Sequence, residues 1–230
     1  MTPLFEAGAP EVAGYIAADW RRYQALDQIV NHWNRPGWVD GRHSYHWLLT
    51  FEQASELRVL AARCQAQLQE LPGLDLVPLS SLHVTLQRVG FTDQIAPAEV
   101  HAIAEAGRVR CAALTPLVLR IGPLAGSAGA VRFSVGPHAP VGHVLNAVRA
   151  AVADVRGDGT LPDSDGNFIP HVSIAYSNAD APSAPVIQRV AALRSLGSVA
   201  ARIDAVRLVE LRRVGHSYAW EPVARVRLGG

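Results

Sequence analysis

Residues 81–88 read SLHVTLQR and residues 169–176 read IPHVSIAY, and these two segments set the fold class expected for the whole chain. Each contains a histidine, a valine, a hydroxyl residue and an aliphatic residue in that order. The first segment has His83 and Thr85, and the second has His171 and Ser173. A single His-x-Ser or His-x-Thr arises by chance in a chain of ordinary composition, so the pair has to be judged by its surroundings.

Side-chain alternation in a β-strand gives each segment one polar and one apolar face. The polar faces are predicted to carry Ser81, His83, Thr85 and Gln87 in the first segment, and His171, Ser173, Ala175 and Ser177 in the second. Each strand therefore presents an imidazole and a hydroxyl side by side, with an apolar back for a helix layer.

Two imidazoles and two hydroxyls suit chemistry at a phosphodiester. The attacking oxygen needs a base and the departing oxygen needs an acid, and two histidines with ordinary pKa values near 6.5 can serve as both. Thr85 and Ser173 could donate hydrogen bonds to the non-bridging phosphate oxygens. No metal and no cofactor is required. The alternative is two half-buried strands whose histidines satisfy only local hydrogen bonds.

The remaining chain predicts helices and strands in mixed order. Strands are expected at 44–51, 81–89, 117–121, 131–135, 205–213 and 222–228, and helices at 52–70, 97–112, 141–155 and 186–196. This order predicts an α+β chain of two comparable halves, each with a small sheet and helices. Residues 1–43 are predicted to form an N-terminal helical extension, and residues 44–230 the main domain.

The composition excludes several functions. All 21 basic residues are arginine, so a Schiff base, a Walker-type phosphate loop and a nucleotidyl-lysine intermediate are ruled out. A formal charge of +1 disfavours long duplex nucleic acid. Cys64 and Cys111 cannot build a zinc site by themselves, and they fit a reducing cytoplasm. We expect no signal peptide, no membrane span and a monomer.

The two segments resemble the signature of the 2H phosphoesterase superfamily, in its 2'-5' RNA ligase-like and cyclic phosphodiesterase branch. The resemblance runs from about Ser44 to Leu228 and leaves the extension unexplained. It implies a bilobal, pseudo-symmetric α+β fold, with two small antiparallel sheets around a central groove and helices outside. It also implies catalytic histidines at 83 and 171, and action on 2',3'-cyclic phosphates or 2'-5' linkages of small nucleotides or RNA ends.

One position departs from the family pattern. Many relatives carry an arginine five residues after the second histidine, where this chain has Tyr176, while Arg88 stands at that place after the first. Ideal alternation points both side chains away from the groove, so a bulge or a strand end is needed to bring either to the phosphate. Tyr176 could equally be a core aromatic. His46 is a further candidate for the groove, and Trp33 and Trp38 could cap it.

The resemblance implies an enzyme that opens 2',3'-cyclic phosphates and leaves 2'-phosphates. In it His171 would be the base and His83 the acid, with Thr85 and Ser173 binding phosphate. The two histidine roles could be exchanged, and the reverse reaction would join ends through a 2'-5' linkage. The alternative is a non-catalytic module that binds nucleotides or RNA ends in the same groove.

Overall fold

The chain combines helices and antiparallel strands, and the computed structural model describes residues 9–161 and 168–229. Within them the α-helices are α1 (Ala9–Gln24), α2 (Ser55–Leu68), α3 (Pro97–Cys111), α4 (His138–Arg156) and α5 (Ala184–Leu193). The strands are β1 (Gln28–Ile29), β2 (Ser44–Thr50), β3 (Leu74–Leu76), β4 (His83–Phe91), β5 (Leu117–Ser127), β6 (Ala130–Gly136), β7 (His171–Ser177), β8 (Ala181–Pro182), β9 (Val199–Ile203), β10 (Ala205–Arg213) and β11 (Tyr218–Arg227). Residues 1–8 of the predicted extension, and residues 162–167 and 230 of the predicted domain, lie outside the described part.

Two antiparallel sheets organise the molecule. The first sheet has the order β11-β10-β2-β4, and the second has the order β3-β7-β6-β5-β9. Helices α3 and α4 pack together and contact β11 and β4, whereas α2 and α5 pack on the second sheet. Each sheet with its helices forms one lobe, which confirms the predicted α+β architecture.

The lobes are not consecutive halves of the chain, contrary to the order that the sequence suggested. The first sheet joins β2 and β4 to β10 and β11 from the other end of the chain, with Arg207 of β10 opposite Leu48 of β2. The second sheet takes β3 from the N-terminal part. The hairpin of β10 and β11 satisfies the backbone groups along the edge of β2, and such long-range pairing leaves no local signal in the sequence.

The segment before β2 is fixed to the second lobe. Strand β1 pairs with β8, and α1 packs against β5 and β6. The backbone amide of Val30 donates to the carbonyl of Ala128 at 2.8 Å, and that of His32 donates to the carbonyl of Ser177 at 2.8 Å. The segment therefore continues the backbone hydrogen bonding of the second lobe.

The helices bury the faces that their apolar spacing predicts. In α2 the buried residues include Leu57, Leu60, Cys64 and Leu68, spaced three and four residues apart. Full burial of such a leucine contributes about 1.5–3 kcal/mol relative to exposure. Cys64 and Cys111 are buried free thiols. No helix in the described part of the chain is both long and apolar enough to cross a membrane.

Candidate active site

The strands that carry the two motifs, β4 and β7, contact each other where the two sheets meet. A cavity of about 600 Å³ opens there between the lobes. Seven of the residues that the sequence singles out as site candidates line it: His46, His83, Thr85, Arg88, His171, Ser173 and Tyr176. The sequence segments, 88 residues apart, therefore build one site.

The two histidines are held in the same way. His83 Nδ1 lies 2.8 Å from the carbonyl of Ser81, and His171 Nδ1 lies 2.8 Å from the carbonyl of Ile169. A carbonyl oxygen only accepts, so Nδ1 carries the proton in both rings and Nε2 keeps its lone pair. In each case the acceptor is the backbone two residues upstream, just before the strand begins.

The surroundings of both histidines disfavour the protonated form. Burial lowers the pKa of His171 to about 4, and the nearby Arg132 guanidinium adds to the effect. Burial also lowers the pKa of His83, against the opposing effect of its hydrogen bond to the Ser81 carbonyl. Two neutral imidazoles beside two hydroxyls can take up and release protons next to a bound anion.

A β-bulge in β4 changes which side chains face the cavity after Thr85. The register of β4 against β2 skips Leu86, so alternation reverses beyond it. Gln87 turns away from the cavity and accepts a hydrogen bond from Arg149 of α4, and Arg88 lines the cavity. The predicted position of Gln87 on the polar face is therefore wrong.

A second bulge occupies the equivalent place in β7. The register of β7 against β6 skips Ile174, directly after Ser173. The carbonyl of Ile174 accepts from the backbone amide of Val77 at 3.0 Å and from the side-chain amide of Gln65 at 2.9 Å. Alternation reverses again, so the prediction that Ala175 and Ser177 share the face of Ser173 is wrong, and Tyr176 lines the cavity.

The two bulges bring the fifth residue after each histidine into the cavity. The first lobe contributes a guanidinium from Arg88, and the second contributes a phenol from Tyr176. Tyr176 is only 6% exposed and stacks on His32, with ring centroids 3.9 Å apart. Burial raises the pKa of Tyr176, so its hydroxyl stays protonated. It is both a buried aromatic and a wall of the cavity.

A buried ion pair lies beside the second motif. Arg132 of β6 stands opposite Ser173, and its Nη2 donates to Asp19 Oδ1 at 2.6 Å. The Ser134 hydroxyl donates to Asp19 Oδ2 at 2.6 Å. Asp19 belongs to α1, and the charge of Arg132 is one cause of the lowered pKa of His171. The extension helix thus reaches the face of the second sheet that carries the motif.

The extension also lines the cavity directly. His32, Arg35, Pro36 and Trp38 form part of its wall, together with Tyr218 of β11. Sequence reasoning considered Trp38 but missed the other four. The only local signal for these residues was the aromatic, glycine-punctuated composition of residues 31–43. Nothing in that stretch indicates that it lies beside a strand near the C-terminus.

Trp33, the other tryptophan considered as a cap, is used in packing. It is 9% exposed, and its indole N–H donates to Asp75 Oδ2 at 2.9 Å. Its ring is parallel to that of His216, with centroids 5.4 Å apart.

An apolar surface covers the cavity side of the first sheet. Its buried floor is made by Leu48, Val209 and Leu211, with Trp38, Tyr218 and Trp220 packed against it. The Trp220 ring stands nearly perpendicular to the His83 ring, with centroids 5.2 Å apart. Such a surface suits the flat, apolar face of a ring system next to the imidazole.

His46 lies beside the first motif. Both of its ring nitrogens are buried without a hydrogen-bond partner among the described residues, and burial lowers its pKa to about 3. Within residues 9–161 and 168–229, no three His, Cys, Asp or Glu side chains are grouped so as to share a metal ion.

Comparison with known proteins gives one family and several similar folds. The profile of the 2'-5' RNA ligase superfamily matches residues 51–215. TT0787 of Thermus thermophilus superposes with a TM-score of 0.63 at 16% identity, over 81% of this chain and 98% of that protein. Escherichia coli LigT complexed with 3'-AMP gives 0.60 at 15% identity, over 82% and 99%. The NADP+ complex of LigT gives 0.57 at 15% identity, over the same shares. No curated protein sequence matches the chain significantly.

Proposed function

This chain belongs to the 2'-5' RNA ligase superfamily, and we propose that it is a phosphodiesterase that opens the 2',3'-cyclic phosphate of a nucleotide or an RNA end without a metal ion. The family match supports a phosphoesterase. The solved complexes of E. coli LigT with 3'-AMP and with NADP+ support a small nucleotide as the ligand class.

The matched setting of His83 and His171 carries the proposal. Each ring donates from Nδ1 to a backbone carbonyl, which leaves two Nε2 atoms free of hydrogen bonds within the described part of the chain. Both rings line one cavity beside a hydroxyl. A histidine that served only to satisfy a local hydrogen bond would not require the same arrangement around a second histidine in the other lobe.

The reaction is hydrolysis of one P–O bond. The neutral Nε2 of one histidine takes a proton from water as the water oxygen attacks phosphorus. The bond from phosphorus to the 3'-oxygen breaks, and the protonated second histidine gives its proton to that oxygen. The product is a 2'-phosphate, and solvent returns the two histidines to their starting protonation states.

Electrostatics favours His171 as the base. Arg132 disfavours a proton on His171, whereas the lowered pKa of His83 is attributed to burial and is opposed by the Ser81 carbonyl. Binding of an anionic phosphate favours the protonated form of the acid, His83. In the alternative assignment His83 is the base and His171 is the acid, so the same two histidines act in both cases.

The two hydroxyls and one guanidinium serve the reacting phosphate. Thr85 and Ser173 lie two residues after the histidines, on the same faces of their strands, and can donate to the non-bridging oxygens. The bulge in β4 places Arg88 in the cavity, where its positive charge can stabilise the negative charge that develops on the phosphate. The apolar surface of the first sheet remains available to the nucleobase of the substrate.

The test is the fate of 2',3'-cyclic AMP. We expect conversion to 2'-AMP, followed by phosphorus NMR, with the same rate in the presence of a chelator. His83→Ala and His171→Ala should remove turnover, while the matched control His143→Ala, which changes an exposed histidine of α4, should retain it. Formation of 3'-AMP or loss of turnover with chelator contradicts the proposal. Tight binding of 2'-AMP without any turnover favours the non-catalytic module.

A further inference from the structure

The described lining of the cavity carries positive charge without an opposing carboxylate. Among the described residues its lining includes Arg35 and Arg88 and no acidic side chain. Within the same part of the chain, neither arginine forms an ion pair with a carboxylate. The reacting cyclic phosphate has a single negative charge, so one cation remains for another group.

Another cavity of the molecule has acidic residues in its lining. A pocket of about 460 Å³ is lined by Arg202, Arg207 and Arg225, and also by Glu52, Glu56 and Asp204. There Arg207 pairs with Glu52, and Arg225 pairs with Asp204 at 3.0 Å. That pocket therefore holds carboxylates beside its arginines, whereas the described lining of the active-site cavity holds arginines without a carboxylate.

We infer that Arg35 and Tyr218 form a second anion subsite, and that the substrate carries a further phosphate besides the one that reacts. This inference rests on the proposed function, because it assigns the reacting phosphate to the two motifs. The further phosphate could be a 5'-phosphate on the same nucleotide or the next phosphodiester of an RNA strand.

A chain of hydrogen bonds connects the two residues through His32. Arg35 donates from Nη2 to His32 Nδ1 at 3.2 Å and from Nε to the His32 carbonyl at 3.2 Å. Arginine only donates, so Nδ1 accepts and the proton of His32 is on Nε2, which lies 3.0 Å from the Tyr218 hydroxyl. The Tyr218 oxygen accepts that bond, and its own O–H remains available to an acceptor in the cavity.

His32 is a fixed, uncharged connector. Its ring stacks on Tyr176, and burial together with the charge of Arg35 lowers its pKa to about 3. His32 therefore stays uncharged over the working range of pH, and the hydrogen bond from Arg35 fixes its tautomer. Because His32 stacks on Tyr176, five residues after His171, the subsite lies beside the second motif.

The partners of Arg35 leave its charge available. Both of its acceptors are neutral, so the guanidinium keeps its full charge and has N–H groups left to donate. Arg35 is exposed at the rim, whereas His32 is buried. A phosphate can thus reach the guanidinium from solvent, and the Tyr218 hydroxyl lines the same cavity.

The test compares binding of product analogues, so it does not depend on turnover. Adenosine 2'-phosphate, adenosine 2',5'-bisphosphate and the dinucleotide ApA with a terminal 2'-phosphate are titrated by calorimetry. A charge-assisted contact predicts that the bisphosphate binds about tenfold or more tightly than the monophosphate. A gain with the dinucleotide as well identifies a phosphodiester as an accepted source, and a gain with the bisphosphate alone identifies a terminal 5'-phosphate.

Arg35→Gln should make adenosine 2'-phosphate and adenosine 2',5'-bisphosphate bind with equal affinity. Arg21→Gln, a matched change at an exposed arginine of α1, should keep the wild-type ratio of affinities. If Arg35→Gln does not fold, Tyr218→Phe serves as the second variant. It keeps the aromatic ring, removes the hydroxyl, and should reduce the ratio of the two affinities. Equal affinities in the wild type, or a ratio that survives Arg35→Gln, would overturn the subsite. A retained ratio in a protein without turnover would instead refute the proposed function and leave the subsite standing.

Discussion

Replacing Asp19 with asparagine tests whether the extension helix is part of the structure around the site. Asp19 and Arg132 are 2% and 5% exposed, and the carboxylate accepts from both Arg132 and Ser134 at 2.6 Å. Removing one member of a buried ion pair costs about 3–5 kcal/mol because the other charge is left uncompensated. At about 2–4 °C per kcal/mol for a chain of this size, the melting temperature should fall by about 6–20 °C.

The assay is thermal unfolding at pH 7, followed by circular dichroism. Asp19→Asn combined with Arg132→Met removes both charges and should recover much of the loss, since a neutral, packed replacement is far less costly than a broken pair. The control is Asp154→Asn, which opens the exposed pair with Arg110 and should leave the melting temperature unchanged. A fall of less than about 2 °C for Asp19→Asn would refute the reasoning, because it would mean that α1 is not held through this ion pair.

Three further predictions concern the histidines and hydroxyls. The pKa values of His32 and His171, about 3 and about 4, lie below the unfolded value near 6.5, so stability is full above about pH 6.5 and each histidine removes up to about 1.4 kcal/mol per pH unit as the pH falls toward 4. Urea unfolding at pH 7 and pH 4.5 measures this, and equal free energies would contradict it. Because the pKa values of His83 and His171 are both lowered, kcat/KM for a cyclic phosphate should peak on the acid side of about pH 6.5, and a peak above about pH 7.5 would count against the pair. Thr85→Val and Ser173→Ala should each lower kcat by about 10²–10³, as for loss of one donor to a developing charge, and a change in KM alone would remove them from that role.

Local sequence patterns were sufficient for the motifs and for much of the secondary structure. Alternation placed His83 with Thr85 and His171 with Ser173, and all four line one cavity. Apolar spacing also located the buried face of α2. These features depend on residues within a few positions of one another, which a single segment records.

The bulges were outside the reach of such patterns. Whether Leu86 or Ile174 is skipped depends on the strand that lies beside it, so alternation gave the wrong face for Gln87 and Ala175. From the positions of Arg88 and Tyr176 the sequence indicated that a bulge or a strand end was needed, but not which of the two, nor where.

The contribution of the extension was hidden for a related reason. His32 and Tyr218 are 186 positions apart and meet only because β11 joins the first sheet. The pairing of β10 with β2 that brings them together is a long-range contact, and no local segment carries it. Arg35 was therefore indistinguishable from a solvated surface arginine.

The most direct test of the central claim, that two histidines act as one acid–base pair on a single phosphate, is a double-mutant cycle on the opening of 2',3'-cyclic AMP. Single-turnover rates are measured for wild type, His83→Ala, His171→Ala and the double variant. Loss of either partner should lower the rate by at least about 10². The double variant should be little slower than the slower single one, because groups that act as a unit are not additive. Independent effects that multiply in the double variant, or wild-type turnover in either single variant, would contradict the claim.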